Sequence, residues 1–276
     1  MCRALMLSIP ATLYRWRKKQ GGYSLLLLYA GILVWSCFPG AELEASEVKH
    51  YRVKILNMLP HSTNSFTQGL LYHDGALYES TGLRSHSSLQ KIDPETGKVL
   101  RSRHVPELFA EGLALWDDHL IQLTWKSGIA LVYALQDFSV QGSFRYEGEG
   151  WGLTEDGHSL IMSDGSDVLY YRNPQNFSIE RRLRVTMNGR PVPSLNELEY
   201  IDGLIYANVW HQRYIVQIDP ANGHVIGQIE TDALFEKLPF LRREDVLNGI
   251  AGKQESKTIF LTGKNWPQMF EVILEE

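Results

Sequence analysis

A chain of 276 residues, 44% hydrophobic and 21% charged, carries enough apolar surface for a large core and is neither fibrous nor disordered in composition. Its formal charge of -5 is unevenly placed: Arg3, Arg15, Arg17, Lys18 and Lys19 give residues 1–40 a charge of +5, leaving 22 basic and 32 acidic side chains beyond, a net -10. An acidic body argues against nucleic acid as the main partner, and with both cysteines (Cys2 and Cys37) ahead of it, the body has no disulfide, cysteine nucleophile or cysteine ligand.

The basic start leads into Ser24-Leu25-Leu26-Leu27-Leu28-Tyr29-Ala30-Gly31-Ile32-Leu33-Val34-Trp35, which Pro39 and Gly40 stop. This run has the length of a signal-peptide core and is short for a spanning helix. Residues 1–45 are therefore read as a signal or signal-anchor segment that exports the body to a periplasmic, secreted or secretory-pathway location. No small-x-small cleavage site follows. Membrane attachment through a retained anchor, or through lipidation of Cys37, stays open beside cleavage.

From residue 46 to 276 the chain reads as short strands between Asp- and Gly-containing turns, beginning with Tyr51–Met58. One pattern then recurs. Phe66-Thr67-Gln68-Gly69-Leu70 leads to Asp74-Gly75, Phe109-Ala110-Glu111-Gly112-Leu113 to Asp117-Asp118, and Leu195-Asn196-Glu197-Leu198 to Asp202-Gly203. Gln68, Glu111 and Asn196 each stand six residues before the turn aspartate. Gly150-Trp151-Gly152-Leu153 is a shortened copy, and Asn248-Gly249-Ile250-Ala251 one that has lost its aromatic. Second hairpins lie between the copies, around Asp93-Pro94-Glu95-Thr96-Gly97 and Asp219-Pro220-Ala221-Asn222-Gly223, where Pro presets one turn torsion and Gly supplies the positive one. The stretch Asp232–Asp245 reads as a short helical insertion. Five units of two hairpins, at a period of about 40 to 50 residues, predict an all-β protein: a five-bladed β-propeller with four-stranded antiparallel blades. Tyr51–Met58 is expected to pair with the last blade and close the ring, removing sheet edges.

The repeat register places Gln68, Glu111, Trp151, Asn196 and Asn248 at one mouth of a central channel. A second set, Thr124-Trp125, Ser163-Asp164, Asn208-Val209-Trp210 and Thr262-Gly263-Lys264-Asn265-Trp266, is read at the far ends of the inner strands, reaching the same ligand only if loops fold back. Indoles and Phe66 suit an apolar ligand wall of low local dielectric. A lone Glu111 inside such a wall has its charged form disfavoured and serves as acid or base near neutral pH, while Lys264 or an amide steadies negative charge on a carbonyl oxygen. The nine histidines are scattered, with no two within ten residues, and neither a phosphate loop nor a Gly-x-Ser-x-Gly elbow is present. Asp164-Gly165-Ser166-Asp167 is read as a hairpin turn, and no metal or cofactor is expected.

Ser65-Phe66-Thr67-Gln68-Gly69-Leu70, Tyr78-Glu79-Ser80-Thr81-Gly82, Phe109-Ala110-Glu111-Gly112-Leu113, Gly150-Trp151-Gly152-Leu153, Leu195-Asn196-Glu197-Leu198-Glu199, Ala207-Asn208-Val209-Trp210 and Leu261-Thr262-Gly263-Lys264-Asn265-Trp266 together resemble the plant and bacterial type of glutaminyl-peptide cyclotransferase. The likeness runs in order from about residue 50 to 275. It implies a five-bladed propeller that converts the N-terminal glutamine of peptides or proteins to pyroglutamate, releasing ammonia without a metal. It also implies a pocket of Phe66, Gln68, Glu111, Trp125, Trp151, Asn196, Trp210 and Lys264. In that pocket Glu111 is the proton shuttle, and Asn196 and Lys264 stabilise the oxyanion or orient the amide. Gln68 and the Trp151 indole N–H position the substrate, and Phe66, Trp125 and Trp210 form the wall. A monomer is expected. Two other readings stand beside this one: a Ca²⁺-dependent, lactonase-like propeller hydrolase using Glu111, Asn196 and Asn248, and a non-catalytic peptide-binding propeller.

Overall fold

The hairpin signals are realised along the chain in a computed structural model that describes residues 47–253 and 256–276, so the leader reading lies outside the described residues. β1 (Lys49–Pro60) comes first. β2 (Thr67–His73), β3 (Ala76–Thr81), β4 (Ser88–Ile92) and β5 (Val99–His104) then form a four-stranded antiparallel sheet in sequence order. β6 (Ala110–Trp116), β7 (His119–Thr124), β8 (Ile129–Ala134) and β9 (Val140–Arg145) repeat it, as do β10 (Leu153–Glu155), β11 (Leu160–Met162), β12 (Val168–Arg172) and β13 (Ile179–Arg184). A small hairpin, β14 (Thr186–Met187) and β15 (Arg190–Pro191), turns at Asn188-Gly189. The fourth unit is β16 (Leu195–Ile201), β17 (Leu204–Val209), β18 (Tyr214–Ile218) and β19 (Val225–Glu230), one half of an eight-stranded sheet whose other half is the last unit. After a helical turn, α1 (Asp232–Phe235), come β20 (Leu247–Lys253), β21 (Thr258–Gly263) and β22 (Gln268–Glu275).

β1 supplies the fourth strand of that last unit, running antiparallel to β22 from Arg52↔Glu275 to Pro60↔Gln268, and it also pairs in parallel with β19 through Lys49–Arg52. The first strand of every unit is a sheet edge, and these edges meet one another: β2 packs against β6 and β20, β6 against β10, β10 against β16, and β16 against β20.

Local chemistry explains the hairpins. Asp74-Gly75 and Asp202-Gly203 hold positive φ angles (46° and 73°, 50° and 84°), the twist that matches two-residue turns to paired strands. Asp93 caps its turn by accepting the Glu95 and Thr96 N–H groups at 2.8 and 3.0 Å. Apolar faces of neighbouring sheets interlock: Leu71, Tyr78 and Leu89 of the first lie in one cluster with Leu113, Leu120, Tyr133 and Phe138 of the second.

In the first three units the first strands approach so closely that the residue after Gln68, Glu111 or Trp151 must be glycine. A Cβ on Gly112 would come within 2.4 Å of the Leu153 nitrogen, and one on Gly152 within 2.0 Å of the Asn196 carbonyl oxygen. In the fourth unit this position is Glu197. Its carboxyl accepts the Leu70 N–H of β2 at 3.2 Å and the Ile250 N–H of β20 at 2.9 Å, linking the edges of two other units.

The expected helical insertion is mostly not helical. Only Asp232–Phe235 forms a turn of helix, because Pro239 lacks an N–H and disfavours helical backbone at Leu238. Leu234, Phe235, Leu238 and Leu241 nevertheless pack with Trp266 and Phe270.

Candidate active site

Each unit's second strand runs back toward the start of its first, so two sequence positions some 14 residues apart become neighbours: Ala110 pairs with Thr124, Leu195 with Val209 and Leu247 with Gly263. This corrects the sequence reading that set Trp125, Trp210 and Lys264 at the opposite ends of the inner strands. They follow the ends of second strands, and antiparallel pairing alone brings them to the mouth that holds Gln68, Glu111 and Asn196.

A cavity of about 240 Å³ opens there, lined by Phe66, Gln68, Phe109, Glu111, Trp125, Trp151, Asn196, Trp210, Glu244 and Lys264. All eight residues expected in the pocket line it. Asn248 and Trp266 do not. The Asn248 amide turns away to donate to the Thr67 carbonyl at 2.9 Å and the Gln68 Oε1 at 3.2 Å, and Trp266 is buried against Phe235 and Phe270. The Asn248 Oδ1, the atom a metal would take in the reading that put this residue with Glu111 and Asn196 on a central ion, is buried without a hydrogen-bond partner, and Asn248 is not among the residues that line the cavity. Among the described residues no group of three or more His, Cys, Asp or Glu side chains is arranged to hold a metal ion.

The cavity wall is a collar of aromatic rings in edge or tilted contact. Phe66 meets Phe109 at 6.2 Å between centroids, Phe109 meets Trp125 at 5.4 Å, and Trp151 meets Trp210 at 5.6 Å. Lys264 Nζ lies 4.8 Å from the Phe66 ring centre, within cation–π range. Between the two halves of the collar stands Glu149, whose Oε2 accepts the Trp125 indole N–H at 2.7 Å and the Trp151 indole N–H at 3.0 Å. The Trp151 N–H therefore faces Glu149 rather than standing free for a substrate.

On the polar side, Gln68 Nε2 donates to Glu111 Oε1 at 3.0 Å, so Asn248, Gln68 and Glu111 form a chain of hydrogen bonds. Asn196 is 3% exposed, and its Oδ1 has no hydrogen-bond partner. Burial pushes the Glu111 carboxyl well above the usual carboxylate range; the Lys264 charge opposes this and the Glu149 charge adds to it. Burial likewise lowers Lys264, against the pull of Glu111 and Glu244. Burial thus raises the proton affinity of the carboxyl and lowers that of the amine beside it, the pairing of environments that marks acid–base sites.

Behind the cavity, buried Glu79 accepts the Thr67 hydroxyl at 2.6 Å and pairs with His61 Nε2 at 3.0 Å. His61 Nδ1 donates to the Trp266 carbonyl at 2.7 Å, two residues from Lys264. Burial works against the His61 charge, but Glu79 beside it raises the imidazole above its ordinary value. A wider recess of about 930 Å³ adjoins the cavity and shares Phe66 and Glu244 with it.

Phe109, Glu149 and Glu244 escaped the sequence reading. Phe109 had a signal, standing two residues before Glu111 as Phe66 stands before Gln68. Glu149 and Glu244 lie in segments outside the repeat and had none.

An all-β scaffold thus presents a buried carboxyl of raised pKa and an amine of lowered pKa in one ring-walled cavity, a pairing that suits acid–base chemistry. The family sequence model for glutamine cyclotransferase matches residues 28–274, and this chain belongs to that family. It is 37% identical over 247 residues to an Arabidopsis thaliana glutaminyl-peptide cyclotransferase, covering 88% of this chain and 77% of that protein. The crystal structure of Myxococcus xanthus glutaminyl cyclase is similar with a TM-score of 0.80 and 39% identity, over 83% of this chain and 99% of that one.

Proposed function

We propose that this protein is a glutaminyl-peptide cyclotransferase, converting N-terminal glutamine to pyroglutamate with release of ammonia. The observation that carries the reading is the grouping of Glu111, Gln68, Lys264 and the unpartnered Asn196 Oδ1 in one cavity, on a chain of this family. At about 240 Å³ the cavity is smaller than most small-molecule sites and suits a single residue, with the rest of the peptide leaving through the recess beyond Phe66 and Glu244.

The reaction is intramolecular, so the first task is to hold the substrate's own α-amine against its γ-carbonyl. The aromatic collar folds the side chain into that posture, and Asn196 Oδ1 takes an N–H of the leaving amide. As the new N–C bond forms, Glu111 in its ionised form, made the stronger base by its raised pKa, takes the α-amine proton. As the old C–N bond breaks, it returns that proton to the departing nitrogen, which leaves as ammonia. Lys264 faces the oxyanion between the two steps, a contribution worth about 3 kcal/mol by comparison with other oxyanion donors. No metal or covalent nucleophile enters this scheme.

The scaffold is proposed to be a five-bladed propeller. Three four-stranded sheets, an eight-stranded sheet that β1 makes of the last two units, the pairing of β1 with β22 and the contacts among first strands support it. A rotational repeat other than five-fold in a crystal structure would overturn it. Residues 1–45 are proposed as the export signal or anchor and 46–276 as a monomeric catalytic domain, on the basic-then-apolar pattern of the leader. N-terminal sequencing of the exported protein and sedimentation of the purified one test these two statements.

The deciding experiment measures ammonia release from Gln-Gln or a Gln-terminated peptide, with and without EDTA, for the parent and for Glu111→Gln. EDTA-resistant release that falls by three orders of magnitude or more in the variant is expected. A folded parent that releases no ammonia would favour a binding protein, and loss of activity to EDTA a metal-dependent reaction.

A further inference from the structure

The aromatic collar is broken between Trp125 and Trp151. Ring contacts run from Phe66 through Phe109 to Trp125 and again from Trp151 to Trp210, and a single carboxylate oxygen joins the two runs. That oxygen, Glu149 Oε2, receives both indole N–H groups, while Oε1 lies 3.3 Å from Lys126 Nζ. Lys126 in turn sits 4.3 Å from the Trp125 ring centre, so the cation closes over the same indole that the carboxylate holds. Glu149 belongs to the segment joining β9 to β10, flanked by Gly148 and Gly150. Gly148 holds a φ of +85°, a backbone state that fits the loop to this reach.

Resting on the cyclotransferase reading, we propose that Glu149 is a positioning residue for the reaction, one carboxylate that fixes two of the three indoles of the cavity wall, Trp125 and Trp151, and sets a second negative charge against Glu111. The two effects are separable. Charge-assisted hydrogen bonds are stronger and shorter than neutral ones, so an ionised acceptor holds both rings in one orientation. Those bonds, with Lys126, keep Glu149 ionised: burial works against its charge, yet the Trp151, Trp125 and Lys126 contacts win and its carboxyl is lowered. An ionised Glu149 then favours the protonated form of Glu111. The other charged or titratable groups around Glu111 are Lys264, which pulls the opposite way, Tyr146, and Glu244 on the cavity wall.

The test compares the parent with Glu149→Gln and Glu149→Ala. Glutamine keeps one oxygen acceptor where Oε2 stands and loses the charge with its Lys126 ion pair; alanine loses the acceptor as well. With a Gln-terminated peptide, Glu149→Gln is expected to move the limb of the pH profile of kcat/KM that belongs to Glu111 toward acid, with KM changed less than about threefold. The substrate amine titrates identically in all reactions, so a displaced limb belongs to the enzyme. Glu149→Ala is expected to move the limb equally and to raise KM by about tenfold, as for lost hydrogen bonds to a charged group. Its near-ultraviolet circular dichroism, which reports fixed indoles, should weaken while that of Glu149→Gln persists. An unmoved limb in Glu149→Gln, or parental KM and dichroism in Glu149→Ala, overturns the proposal. A parent without ammonia release would overturn the cyclotransferase reading instead, and the dichroism would still decide whether Glu149 holds the indoles.

Discussion

Glu197→Ala is a severe test of the link between sheet edges. The carboxyl of Glu197 satisfies the Leu70 and Ile250 N–H groups, which lie on strands that have no neighbour on that side. Truncation leaves two N–H groups buried without an acceptor, at about 1–3 kcal/mol each. Against this stands the cost the carboxyl itself incurs: burial drives its pKa well above the ordinary range, with Glu199 adding to the effect and the two N–H bonds opposing it. Removing that cost brings the net destabilisation to about 2–4 kcal/mol, which for a domain of this size lowers the melting temperature by roughly 5–15 °C. Glu197→Gln, keeping the shape and one acceptor, should lose about half as much. The assay is differential scanning calorimetry at pH 7. A Glu197→Ala protein that melts with the parent or above it would refute the reasoning and make this residue a mere occupant of the glycine position.

Glu199, whose carboxyl accepts the Gly252 N–H at 3.0 Å, is raised from 4.5 to about 8, mainly by burial. A carboxyl with a folded pKa above its unfolded one binds a proton on folding. Its stabilisation is full below pH 4.5 and is lost as the pH rises through about 8. The loss is about 5 kcal/mol for a dry site and nearer 2 here, because Glu199 is half-buried and lines an open recess. Glu199→Gln should flatten melting temperature against pH across that window, and an unchanged slope would contradict the assignment. Gly152→Ala puts a Cβ 2.0 Å from the Asn196 carbonyl oxygen; a loss of about 1–3 kcal/mol in a urea melt, with a raised KM, is expected. His61→Ala leaves Glu79 buried with an oxygen already unpartnered, which should cost about 3–5 kcal/mol in the same assay and lower kcat by loosening the segment behind Lys264.

The legible part of this molecule was whatever the repeat wrote several times. Gln68, Glu111 and Asn196 could be placed together because each stands at one distance from its turn. The register failed at Asn248, where Gly249 at a φ of +121° carries a backbone shape that the other copies lack, and the amide points back to Thr67. It was silent on Glu149, since a carboxylate that reaches two indoles across a loop leaves no periodic trace. The insertion read as a helix because leucine spacing is visible in sequence, whereas the veto of Pro239 weighs more than that spacing.

The pairing of β1 with β22 has a consequence in time. Pro60 must wait for Gln268, so that more than 200 residues separate two strands that lie side by side. At ordinary synthesis rates of about 5–20 residues per second, β1 spends roughly 10–40 s without its antiparallel partner. Closing a loop of that length costs about 5 kcal/mol of chain entropy before the strands contribute anything. The last unit therefore forms only after the chain is complete, and until then a twelve-residue strand of exposed N–H and C=O groups needs to be kept from other chains.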